Sequence, residues 1–193
     1  MSEVSFGNDG DYSDMNMVLK VNANLANELG NLCQRTLSMV FKNCDKAIPE
    51  PGEFTPEDEA LLDAARGLRE RASAEIADQA ILKYIQVVIG MIWEANKYID
   101  TMAPWALKKT DPDRMATVLY VILEVLRYSA ILYQPVIPAS AQNILDQLQV
   151  PEDERTFLHL NDDYRIKSGA PISKPKAVFP RLEVPEGELI GAK

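Results

Sequence analysis

Apolar residues recur every three to four positions in five separate stretches of this chain, a period that predicts amphipathic helices. The first stretch runs from Met17 to Lys42 without a proline. With Ser13 or Asp14 as the cap, it predicts a helix to about Asn43. On a wheel of about 100° per residue, Val18, Val21, Leu25, Leu29, Leu32, Met39 and Val40 form a buried face. Leu25, Leu29 and Leu32 are expected to hold it to the core. Lys20, Asn24, Asn27, Asn31, Arg35, Ser38 and Lys42 fall in one stripe roughly 60–80° wide. Ala23, Ala26 and Gly30 make a flank of small residues that another helix can approach closely.

The other four stretches follow in order. Thr55-Pro56-Glu57-Asp58-Glu59 combines a cap, a first-turn proline and acids at the positive end of the dipole, and starts a helix over 56–74. A third helix is predicted from near Ala77 to about Met102, with Trp93 in its core stripe. Ala103-Pro104-Trp105 ends it, because the residue before proline disfavours the α region. Thr110-Asp111-Pro112 opens a fourth helix that reaches Tyr133. It is apolar nearly all round, the pattern of the most buried element. Its most apolar part, Met115 to Leu126, is interrupted by Glu124, so no run of membrane-span length is expected. A fifth helix covers about Ala139 to Leu148. From Pro151 the periodicity is lost, and a tail anchored by Val178, Phe179 and Leu182 is expected to drape over the helices. The predicted fold class is all-α: an antiparallel bundle of about five helices with an irregular C-terminal tail packed on it. The division is a linker at 1–13, a bundle at 14–150 and an extension at 151–193.

Composition narrows the function. At 193 residues and 47% hydrophobic, the chain can bury a large core. Its net charge of −9 and pI near 4.7 argue against broad, counterion-driven binding to nucleic acid, but allow a small local site. Cys33 and Cys44 give neither a disulfide framework nor zinc spacing, so a reducing, cytoplasmic setting is expected. The polar, acidic N-terminus does not read as a signal peptide.

No catalytic residue, metal ligand or cofactor motif emerges. The sole histidine, His159, has no nucleophile or carboxylate at motif spacing and reads as structural. Glu57-Asp58-Glu59 and Glu152-Asp153-Glu154 are helix-start and turn signals. A binding surface is better supported. Asn22, Asn24, Asn27 and Asn31 crowd a helix that asparagine disfavours. The polar stripe carries amides, a guanidinium and ammoniums but no carboxylate, and amides and guanidinium groups bond base edges and phosphates. The bland alternative is a solvated face. Trp105, between Pro104 and Lys108-Lys109, either presents a ring for stacking or plugs the core beneath a loop.

Four motifs then coincide. Asn22-Ala-Asn-Leu-Ala-Asn-Glu-Leu-Gly-Asn-Leu-Cys-Gln-Arg35, Tyr98-Ile-Asp-Thr-Met-Ala-Pro-Trp-Ala-Leu-Lys108, Pro135-Val-Ile-Pro138 and Phe179-Pro-Arg-Leu-Glu183 together resemble the C-terminal part of bacterial methionine–tRNA ligases. Phe6-Gly-Asn-Asp-Gly10 resembles the lead-in from that family's catalytic half. The resemblance, over about residues 4–183, implies a helical bundle that binds the CAU anticodon of methionine tRNA. Trp105 would stack on an anticodon base, and Asn24 and Arg35 would contact base edges, with Asn27, Asn31 and Pro104 close by. The ATP- and methionine-binding half of the family, with its signatures, is not in this sequence, so the chain alone is expected to be inactive as a ligase. Its partners would be the anticodon loop and the catalytic half, in cis or in trans, and no membrane. The competing reading is a helical protein-interaction module that docks on a catalytic partner chain. A small independent enzyme is a distant third.

Overall fold

A computed structural model describes residues 13–183. The side chain of Ser13 accepts from the Asn16 amide at 3.3 Å and caps α1, Asp14–Lys20. The rod continues without a break through a π-helical stretch, Val21–Gly30, into α2, Asn31–Asn43. Next, the Thr55 amide donates to Asp58 Oδ2 at 2.9 Å at the start of α3, Pro56–Arg66, which Gly67 separates from α4, Leu68–Ala77. The remaining helices are α5 (Ile81–Met102), α6 (Pro104–Thr110), α7 (Pro112–Tyr133) and α8 (Pro138–Gln147). The expected five helices are present as five rods, α3 and α4 together forming the second. Beyond Val150 the described part of the tail carries three short 3₁₀ turns, and a β-bridge pairs Ala47 with Pro171.

The axis of the bundle is α7, which packs against α2, α3, α4, α5, α6 and α8. Every residue from Thr117 to Tyr133 is buried. By length and composition α7 is apolar enough to cross a membrane, contrary to the sequence expectation; yet nearly all of it lies inside the protein. Glu124 does not interrupt it, because Arg127, one turn on, matches it at 2.9 Å. The same pair binds the tail: Ile166 N–H donates to Glu124, and Arg127 Nη1 donates to the His159 carbonyl at 2.8 Å. Tyr84 donates to the Leu132 carbonyl near one end of α7, while Arg114, at the other, meets Met102 of α5. So α5 and α7 run antiparallel.

Several pattern-based expectations need correction. Trp93 is 52% exposed rather than core, because the buried face of α5 uses Ile92 and Ala95 and leaves Trp93, Lys97 and Asp100 outside. Leu25, Val21 and Met39 are only half-buried, whereas Cys33 and Leu37 are buried. The π-helical turn, bonded i to i+5, is wider than the 3.6-residue turn of the wheel and shifts the buried line. At Gly30 the close neighbour from outside the rod is the Phe179 ring. Leu182 anchors the tail through its backbone, its side chain being 41% exposed. The segment Phe6–Gly10 lies outside the described residues.

Candidate nucleic-acid interface

Asn27, Asn31 and Arg35 are spaced by four residues, which stacks them along one edge of the first rod. Asn27 and Asn31 are exposed and Arg35 is half-exposed. Among the described residues no side-chain hydrogen bond engages Asn24, Asn27 or Asn31, so their amides are available to a ligand. Asn24 is half-buried, turned off the line of the others by the π-helical stretch.

The rod lies across the C-terminal half of α5: Asn96 Nδ2 donates to Glu28 at 3.0 Å, and Arg35 Nη2 donates to Asp100 at 2.8 Å. The acid-free stripe of the wheel is therefore not an acid-free site. One helix's pattern cannot register the carboxylate that its neighbour brings. The guanidinium carbon of Arg35 also lies 5.5 Å from the centre of the Trp105 ring, within cation–π range. Trp105 is 50% exposed, which excludes the core-plug reading.

Trp105 owes its position to an elbow that the sequence pattern missed. Ala103 adopts φ 44°, ψ 58°, a left-handed conformation that costs a non-glycine residue of order 1–3 kcal/mol. It ends α5, and Pro104, pre-set for a first helical position, immediately starts α6. Pro104 itself is buried, and it immediately precedes the exposed Trp105. Beneath the elbow, Arg114 grips Asp58 through two bonds of 2.5 and 2.8 Å, and the Tyr98 hydroxyl donates to the same carboxylate. Burial pushes the Asp58 carboxyl up, but the bonds from Arg114, Tyr98 and the Thr55 amide outweigh it and hold it below the ordinary range. Burial, then the bond to Asp58, push the Tyr98 phenol up. This network fixes the C-terminal end of α5, and with it Asp100 and the elbow. Lys108 and Lys109, three and four positions on from Trp105 along α6, are exposed, as is Lys97 on α5.

Burial raises the pKa of both thiols, the half-buried Cys44 included. Cys33 is fully buried and pushed up to about 12 by burial. His159 Nδ1 accepts from the Thr156 amide at 3.2 Å, and its ring meets Tyr164 edge-on, a turn-stabilising role. Among the described residues no group of three His, Cys, Asp or Glu side chains is close enough to hold a metal.

The profile of the anticodon binding domain of methionyl tRNA ligase matches residues 48–188, well over half of the chain. The chain belongs to this family. The profile includes Pro104 and Trp105 but starts after Asn24–Arg35. Whole relatives cover both. The chain is 48% identical over 186 residues to methionine–tRNA ligase of Rhizobium meliloti (strain 1021), covering 96% of this chain and 36% of that protein. It is 44% identical to methionine–tRNA ligase of Rickettsia felis, with 95% of this chain and 36% of that protein covered. Its fold matches the crystal structure of apo methionyl-tRNA synthetase of Mycobacterium tuberculosis with a TM-score of 0.90 at 44% identity, over 95% of this chain and 37% of that one. The methionyl-adenylate-bound form gives 0.89. This methionyl-tRNA ligase anticodon-binding domain thus spans little more than a third of the length of the relatives it matches.

Proposed function

We propose that this chain reads the CAU anticodon of methionine tRNA, with Trp105 stacking on a base, Arg35 and Asn24 bonding base edges, and Asn27, Asn31 and Pro104 close by. The carrying observation is the Arg35–Trp105 contact. It puts a half-exposed indole, a guanidinium and two unpartnered exposed amides on one continuous edge of an otherwise acidic protein. Unpaired loop bases offer a π-face and Watson–Crick edges to such a set. Arg35 is held by an exposed ion pair of the kind worth about 0–1 kcal/mol, so it exchanges Asp100 for RNA at little cost.

In this reading residues 14–150 form the recognition bundle, 151–193 the extension, and 1–13 the linker toward a catalytic half, in cis or in trans, in the cytoplasm. ATP and methionine would be the business of that half, and this chain alone would not aminoacylate. With net charge −9, affinity would come from linking the two sites.

The test is titration of an anticodon stem-loop bearing CAU against one with a changed first base. Preference for CAU, lost in Trp105→Ala and in Arg35→Ala, is the expected result. Equal affinity for the two hairpins overturns the reading. Stable capture of a catalytic chain without any RNA preference favours the protein-interaction reading instead.

A further inference from the structure

Ten consecutive residues in π-helical form are unusual, since i to i+5 bonding is rare and normally limited to a single turn. Nothing in Val21-Asn-Ala-Asn-Leu-Ala-Asn-Glu-Leu-Gly30 favours that form by propensity, so something outside the segment must hold it. Two contacts with the tail bracket it. At one end Asn22, 7% exposed, grips the Leu182 backbone in both directions: Nδ2 donates to the carbonyl at 2.9 Å, and the Leu182 N–H donates to Oδ1 at 2.8 Å. At the other end Gly30 is buried. A Cβ there would lie 3.1 Å from the Leu25 carbonyl oxygen, five residues back, and 3.2 Å from the Phe179 ring.

We propose that Asn22 and Gly30 are positioning residues. Clamped by Phe179–Leu182, they hold Val21–Gly30 in its π-helical form and so set the angle at which Asn24 and Asn27 are presented relative to Asn31 and Arg35. The inference rests on the anticodon reading above. Its geometry is simple. A π-helix turns through fewer degrees per residue than the 100° or so of an α-helix. Over the eight residues from Asn22 to Gly30 the difference accumulates. Both anchors face the tail in the π form; relaxation to α-helix turns one of them away. The same rotation swings Asn24 and Asn27 about the rod axis, while Arg35, held by Asp100 and Trp105, and Asn31, one turn before it in α2, stay in place.

The experiment uses the full 193-residue chain and two CAU-type hairpins, one with the first anticodon base changed. Through-hydrogen-bond couplings in NMR identify the acceptor of each amide in 26–30. In the native chain these are residues five back. In Asn22→Leu they move to four back, and the CAU-to-variant affinity ratio falls roughly five- to tenfold, the scale of one misplaced hydrogen bond. Phe179→Ala, which removes the ring but keeps the amide clamp, shifts both readouts the same way and serves if Asn22→Leu fails to fold. An unchanged ratio in these variants, with Trp105→Ala binding at least tenfold more weakly, overturns the positioning role and leaves the anticodon reading intact. Full CAU binding by Trp105→Ala overturns both. Couplings that remain five back in both clamp variants overturn the clamp itself.

Discussion

Arg127–Glu124 and Arg35–Asp100 are the same chemistry in opposite surroundings. The first pair is 1% and 2% exposed, the second 34% and 62%. Buried, an arginine and a carboxylate become a structural joint: every lone pair and N–H that faces the core must be used, and here the surplus goes to the backbone of the tail at His159, Asn161 and Ile166. Exposed, the same groups are loosely tied, because water competes with the pair on equal terms. The exposed arginine is the one a ligand can recruit. On the proposed reading, burial, rather than the identity of the partners, separates architecture from recognition in this domain.

The largest effect should come from breaking the buried pair. Arg127→Ala leaves Glu124 charged inside the bundle and should cost about 3–5 kcal/mol, a fall in melting temperature on the order of 10 °C. Replacing both residues by apolar ones of similar volume should cost much less than the sum of the single changes; a strictly additive result would show that the pair is not a unit. At the exposed pair the pattern should invert. Arg35→Ala and Trp105→Ala should each leave stability within about 1 kcal/mol, while weakening the CAU hairpin by about 1–3 kcal/mol, readable by fluorescence titration. An intermediate case sharpens the contrast. Asp58, fully buried against Arg114, has its carboxyl held below the ordinary range. Its stabilising effect is therefore complete above the unfolded value of about 3.9 and is lost as pH falls through the lower folded value. Melting temperature should drop in acid below about pH 4, and Asp58→Asn should flatten that limb. The smallest effect is expected for Asp100→Asn. Stability should move by less than about 1 kcal/mol, and the hairpin should bind slightly more tightly, because Arg35 no longer has a charged competitor. Weaker binding would mean that Asp100 orients Arg35 rather than merely parking it.

Helix starts and the central element were legible because their signals are local. Thr55-Pro56 with Asp58, Asp111-Pro112 and the all-apolar α7 each declare themselves within a few residues. The site was legible in part. Arg35 and Trp105 stood out as residue types, and the family resemblance implied that both meet one anticodon loop; their mutual contact is seen only in the fold. What the pattern missed is non-local or conformational. Asp100 reaches the stripe from another helix, and Asn22 faces a partner 160 positions away. Trp93 and Ile92 both fit a stripe of helical spacing, and only packing decides which one is inside. The helix α6 was hidden because a left-handed alanine before proline looks, in sequence, like an end rather than a corner.

That corner has a consequence for how the domain tolerates change. Only Ala103 separates the last residue of α5 from the first of α6. There is no slack in which an extra residue could be absorbed. One insertion between Met102 and Pro104 would re-phase α6 against α5 by roughly a quarter turn or more and carry the indole away from Arg35, while the buried partners of α7 kept the bundle folded. The connector of residues 44–55 carries none of the proposed recognition residues but is tied to the tail by the Ala47–Pro171 bridge and to the core by Ile48. An insertion there should therefore cost folding, whereas one at Ala103 should cost hairpin binding. A library of single-residue insertions, sorted once for folding and once for hairpin binding, would then locate the recognition edge without a single side chain being substituted.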